Sequence, residues 1–273
     1  ELGTSMSLFE AIILGIVQGA TEFLPISSSG HLVLIPAWFG LTAPTLPVAA
    51  IMHEGTLLAV LIYFRRDVWQ IVTAVLAGLR ERRPLATPEA KLGWLIVFGS
   101  IPAAAAGLLL ESFFEELFAA PVYAASFLLV TAVILVVGER LLSGQKSTEE
   151  MGWLDALIIG LFQMFAILPG ISRSGSTITA GLWRGLNRET AARFSFLLGI
   201  PAILGAGLLA VSDLAAGGDL AGQVGILAAA FVAAAVTGYA CIAFLLNWLR
   251  QHSLYLFAGY CVVFGGLFLL FGR

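Results

Sequence analysis

Residues 15–31 read GIVQGATEFLPISSSGH, and residues 160–176 read GLFQMFAILPGISRSGS. Laid over each other at an offset of 145, they match at Gly15 and Gly160, Gln18 and Gln163, Ser27 and Ser172, Ser29 and Ser174, and Gly30 and Gly175. Each stretch opens apolar, breaks at proline and runs on through serine and glycine. Proline lacks the N–H a helix needs, and serine offers the backbone other hydrogen bonds, so each reads as two half-helices joined by a loop. The chain around them is 59% hydrophobic and only 11% charged, with a mean hydropathy of +0.97. Soluble domains carry about 25% charged residues. These loops therefore lie inside an integral membrane protein.

Six unbroken apolar spans, at 45–64, 94–111, 119–138, 193–213, 222–247 and 254–271, are long enough, or nearly so, to cross about 30 Å of hydrocarbon. They lack the alternation of a barrel strand. The expected fold is an all-α polytopic bundle forming one membrane domain, with about six transmembrane helices plus two re-entrant helix-loop-helix hairpins in 7–40 and 153–184. Charge favours re-entrance. With residues 65–91, read as a loop, in the cytoplasm, twelve of the fourteen Lys and Arg fall on that side, while Glu111, Glu115, Glu116, Asp213 and Asp219 fall outside. Both termini then lie outside. Each hairpin precedes three spans, an odd number, so residues 150–273 would repeat residues 6–140 in inverted orientation. Broken helices at matching places in such a repeat mark a functional site near the midplane. ELGTS (1–5) reads as a cloning scar ahead of Met6. Cys241 and Cys261 lie in apolar spans and suggest neither a disulfide nor a metal site. There is no nucleic-acid signature.

Non-helical backbone at membrane depth is tolerated where protein or water covers it, so the two tips are expected to face each other. Helices starting near Gly30 and Gly175 would offer free N–H groups to an anion. Ser27, Ser28, Ser29, Ser172 and Ser174 add donors, and Arg173 adds a planar fork suited to phosphate oxygens. An arginine at this depth needs an anionic partner. Glu22 beside an anion site suggests a Mg²⁺ or Ca²⁺ ligand or a general base, with Gln18 one turn earlier on the same face. His31 is a candidate acid, base or nucleophile, and Ser28 a candidate nucleophile.

A single membrane serine more often bonds a backbone carbonyl than a ligand. It is the combination of Glu22, three serines, His31 and Arg173 on two related tips that points to a site. His53, in IMHEGTLL, lies partway into the first full span, and lining water is as good a reading of it as a supporting role beside the site. Glu10 and Asp155 read as interface residues, and Trp69, Trp94, Trp153 and Trp248 as an aromatic belt. An inverted repeat with broken helices also suits a transporter, here a flippase of a polyprenyl phosphate. Transport alone does not need the set Glu22, Ser28 and His31.

At these residues the chain resembles the undecaprenyl-diphosphate phosphatases, the bacitracin-resistance protein family. QGATEFLPISSSGH resembles that family's (E/Q)xxxE element running into its serine-rich stretch and His, LPGISRSGSTI its PGxSRSG motif, and ETAARFSFLLGIP (189–201) a further stretch. The resemblance implies hydrolysis of undecaprenyl diphosphate to the monophosphate carrier of bacterial cell-wall synthesis. It implies a divalent cation, Mg²⁺ or Ca²⁺, and an active site in the bacterial inner membrane open to the periplasmic side. Glu22 would be the essential acid residue with Gln18 its partner, Ser28 the nucleophile with His31 assisting or itself attacking, and Arg173, flanked by Ser172 and Ser174, the diphosphate clamp. Many members carry Glu where this chain has Gln18, which removes one charge from a metal site on the protein. The partners implied are a polyprenyl diphosphate and membrane lipids, with a homodimer as a further option.

Overall fold

The computed structural model describes residues 6–110, 117, 120–142, 144–217 and 224–272, with side chains from 209 to 217 set aside. Residues 1–5, Glu111, Glu115, Glu116, Asp219 and Arg273, and the side chain of Asp213, lie outside the described residues. Eleven helices and no strand occur among those described. They are α1 (Leu8–Phe23), α2 (Ser28–Phe39), α3 (Leu46–Tyr63), α4 (Arg65–Arg80), α5 (Pro88–Leu109), α6 (Pro121–Leu141), α7 (Trp153–Phe165), α8 (Arg173–Trp183), α9 (Arg188–Gly217), α10 (Val224–Leu249) and α11 (Tyr255–Phe271). The chain is a polytopic helical membrane protein. Five helices, α3, α5, α6, α9 and α10, are long and apolar enough to cross a bilayer. The sixth expected span is α11, which at 17 residues is slightly shorter.

The broken regions are helix pairs. Ser7 caps α1 in a box with Glu10, and α1 ends before Pro25. Ser27 caps α2, and its hydroxyl accepts the Gly30 N–H. In the second half, Ser172 caps α8 and accepts the Gly175 N–H at 3.1 Å. The new helices therefore start at Ser28 and Arg173, two residues before the glycines, because the serine cap claims the glycine N–H. Those two N–H groups are spent inside the fold. Thr131 of α6 braces the second loop: its hydroxyl donates to the Gly170 carbonyl and accepts the Ser172 N–H.

Packing pairs run α1 with α10, α7 with α5, α6 with α11, and α3 with α9. Close contact rests on small residues, as membrane helix pairs require. A Cβ on Gly15 would come 2.6 Å from the Ala230 carbonyl, and one on Gly160 would strike the Gly99 carbonyl. The core between the halves includes the edge-to-face pair Phe23 and Phe196, with ring centroids 5.3 Å apart.

Two expectations change. Residues 65–91, read as a loop, contain α4, a two-sided helix. It rests on α5 and exposes Trp69, Val72, Leu76 and Leu79. Asp155, read as an interface residue, is buried and holds both Lys146 and Arg184. Glu139 similarly takes Arg188 in a two-pronged pair and the Leu254 N–H. These pairs tie the connections near one end of the bundle.

Candidate active site

The two loops meet. Gly30 abuts Gly170, where a Cβ would come 3.1 Å from the Gly170 Cα, and the Ser174 hydroxyl donates to the Leu24 carbonyl at 3.2 Å. Gly170 has φ +95°, a conformation glycine adopts freely, which lets the second loop turn this close.

Glu22, on the last turn of α1 and 6% exposed, is the centre of the arrangement. Arg173 Nη2 donates to its Oε1 at 2.5 Å, across a sequence separation of 151. The Ser28 hydroxyl donates to Oε2 at 2.6 Å, and Gln18 Nε2 donates to the same oxygen at 3.0 Å. His53 Nε2 stands 3.6 Å from Oε2, its Nδ1–H held by the Ala49 carbonyl at 2.8 Å. Arg173 also donates from Nη1 to the Ser195 carbonyl of α9. So Glu22, Ser28, Gln18, Arg173 and His53 are brought together. Ser27, Ser29, Ser172 and Ser174 shape the tips: the Ser27 and Ser29 hydroxyls are 3.3 Å apart and those of Ser172 and Ser174 3.2 Å.

His31 is placed differently from the sequence expectation. It is 1% exposed, and both ring nitrogens are engaged away from Ser28. Nδ1 donates to the Ser27 carbonyl at 2.7 Å, and Nε2 lies 2.7 Å from the hydroxyl of Tyr260 on α11. The ring stacks on Phe264 at 4.7 Å. Tyr260 went unnoticed in the sequence because it is one aromatic in an apolar span, 229 residues from His31. Ser195, also missed, binds the Thr177 hydroxyl at 2.6 Å and gives its carbonyl to Arg173. A polar residue in ETAARFSFLLGIP was the available signal.

The donor set does not make a cation cage. Ca²⁺ and Mg²⁺ want several hard oxygen ligands. Here one carboxylate oxygen carries a guanidinium, and the other receives an amide N–H and a hydroxyl. Among the described residues no group of three His, Cys, Asp or Glu is arranged so that it could hold a metal ion. Gln18 Oε1 is buried without a partner. Turned over, it would face a carboxylate oxygen about 3 Å away, so the amide N–H belongs where it is.

Chemically, the arrangement sets a hydroxyl against a base whose other oxygen is neutralised by a fork-shaped cation. The fold and this centre define a class: a multi-pass helical membrane protein whose two loop tips assemble a buried charged site. The chain belongs to the bacitracin resistance protein BacA family, whose model matches residues 11–267. It is 47% identical over 277 residues to a protein of Chlorobium limicola named undecaprenyl-diphosphatase, covering 97% of this chain and 96% of that one. It is 47% identical over 272 residues to the undecaprenyl-diphosphatase of Prosthecochloris aestuarii, covering 95% of each. For the protein of that name from Chlorobaculum tepidum the identity is 44% over 280 residues, covering 98% of each.

Proposed function

We propose that this chain hydrolyses undecaprenyl diphosphate to undecaprenyl phosphate and inorganic phosphate, so recycling the lipid carrier and conferring bacitracin resistance. The observation that carries this reading is the Ser28 hydroxyl donating to Glu22 Oε2 at 2.6 Å while Arg173 holds Oε1. Family membership and the relatives' names support it.

In the reaction, Ser28 Oγ attacks the terminal phosphorus and Glu22 takes its proton. The bond from phosphorus to the bridging oxygen breaks, and undecaprenyl phosphate leaves with that oxygen. Water then cleaves the serine phosphate, releasing inorganic phosphate and restoring Ser28. Arg173 neutralises oxygens of the diphosphate, since phosphoryl transfer depends mainly on positioning and charge stabilisation. Transport alone does not need the Ser28 hydroxyl beside the Glu22 carboxylate.

The divalent cation implied by the family resemblance is assigned to the substrate's diphosphate, not to a protein cage. What supports this is that Glu22 already carries Arg173, Ser28 and Gln18. The halves 6–140 and 150–273 form an inverted repeat: pairing α1 with α10 and α7 with α5 is what an exchange of halves produces. With the arginine-rich segment 65–83 in the cytoplasm, the chain sits in the bacterial inner membrane with its site open to the periplasmic side. The lipid tail stays between helices.

The test is phosphate release from undecaprenyl diphosphate by purified protein in detergent. Release by the wild type, with loss in Ser28→Ala and Arg173→Ala, is the expected result. A folded wild type that releases none overturns the reading.

A further inference from the structure

Ser27 has φ +70°, and it is not glycine. A residue with a side chain is strained in this region and persists there only where its surroundings enforce it. Here the enforcement is visible. The Ser27 carbonyl accepts both the backbone N–H of His31 at 3.2 Å and the ring Nδ1–H of His31 at 2.7 Å. Ser27 is the residue before Ser28, so its backbone sets the direction of the Ser28 side chain toward Glu22.

The ring of His31 is itself held. A carbonyl only accepts, so Nδ1 carries a proton. The buried ring has no carboxylate in contact among the described residues, and an imidazolium there would be a bare charge at membrane depth. The ring is therefore neutral, and Nε2 is an acceptor. The Tyr260 hydroxyl, 2.7 Å away, donates to it. Phe264 closes the other side, its ring 4.7 Å from the His31 ring and within 10° of parallel. The hydroxyl selects the tautomer, and the tautomer supplies the N–H that the Ser27 carbonyl needs.

We infer that Tyr260 is a positioning residue for the reaction: its hydroxyl locks His31 as the Nδ1–H tautomer, His31 holds Ser27 in its strained turn, and the turn aims Ser28 at Glu22. The last helix of the chain thus sets the geometry of the first hairpin. This inference rests on the phosphatase reading above for its kinetic part, and on geometry alone for its tautomer part.

The test compares wild type with Tyr260→Phe, which removes one oxygen and keeps the aromatic stack. Phosphate release from undecaprenyl diphosphate is measured together with the ¹⁵N spectrum of histidine-labelled protein in detergent, His31→Asn assigning the signals. In the wild type, His31 Nδ1 appears protonated and Nε2 unprotonated. In Tyr260→Phe the Nε2 signal moves downfield as it loses its donor. The kcat falls about 10- to 100-fold, as for an outer partner that orients a functional histidine, with KM within about twofold. An unchanged kcat or an unchanged Nε2 signal overturns the inference. Should the variant not fold, the wild-type spectrum decides, because a proton on Nε2 overturns it and one on Nδ1 supports it. Absence of phosphate release from the wild type strikes the phosphatase reading, and the ¹⁵N spectra still read the Tyr260 hydrogen bond.

Discussion

The guanidinium of Arg173 fills the space that a side chain on Gly199 would occupy: a Cβ there would overlap Nη1. Gly199 lies on α9, one turn beyond Ser195, whose carbonyl accepts from the same nitrogen. Helix α9 thus forms a slot for the arginine, and Glu22 lies at its mouth. Gly199→Ala should push the guanidinium off Glu22. Misplacement by about 1 Å can cost about 100-fold, so kcat/KM for phosphate release should drop by that order while the protein still folds. Gly205→Ala, on the same helix with open space around it, should leave activity unchanged.

Ser28 and Glu22 should behave as one unit. Loss of the general base in Glu22→Gln should lower kcat by about 100- to 10,000-fold. The double variant Glu22→Gln with Ser28→Ala should be no slower than the worse single variant, because groups that act together are strongly non-additive. Steady-state kinetics on the three proteins settles this, and additive losses would argue that the two residues act in separate steps.

Asp155 should matter for stability more than for catalysis. It is buried between Lys146 and Arg184, away from the loop tips. The cations left behind, Lys146 and Arg184, are 26% and 29% exposed, so water takes up part of their charge and the loss should be about 1–3 kcal/mol. Asp155→Ala should lower the thermal unfolding midpoint in detergent clearly, with kcat per folded molecule close to wild type.

Helix α4 should lie in the membrane surface. Its exposed Trp69, Val72, Leu76 and Leu79 are flanked by Arg65, Arg66, Arg80, Arg82 and Arg83, the composition of an interfacial helix. A variant retaining Trp69 as its only tryptophan should show fluorescence quenched by lipids brominated near the headgroup. Emission typical of water and no quenching would place the helix in the aqueous phase.

The hairpins were legible because their signal is local: proline, serine and glycine interrupt an apolar run twice at one offset. That Arg173 would need an anionic partner was legible too, since an unpaired charge at membrane depth is costly. But the sequence pointed to a phosphate ligand, and to a cation or a proton for Glu22, and their mutual pairing across 151 positions emerges only in the fold. Helix α4 was hidden by its charges. The apolar spacing Val68, Ile71, Val75 with Trp69, Val72, Leu76 was present, but six basic residues over 65–91 read first as a loop. Tyr260 and Gly199 were beyond reach for another reason. Each acts on a residue far along the chain, and nothing in local spacing reports a long-range contact.

The separation of 151 positions between Glu22 and Arg173 has a consequence for biosynthesis. When the ribosome has delivered the first hairpin, its carboxylate is at membrane depth and its counter-charge is not yet made. An ionised carboxylate there is unfavourable. The Glu22 carboxylate therefore lacks its counter-charge until the second broken region has been made, and α11, which carries Tyr260, follows later still. A chain stopped ahead of residue 173 keeps the Glu22 carboxylate without the arginine that neutralises it.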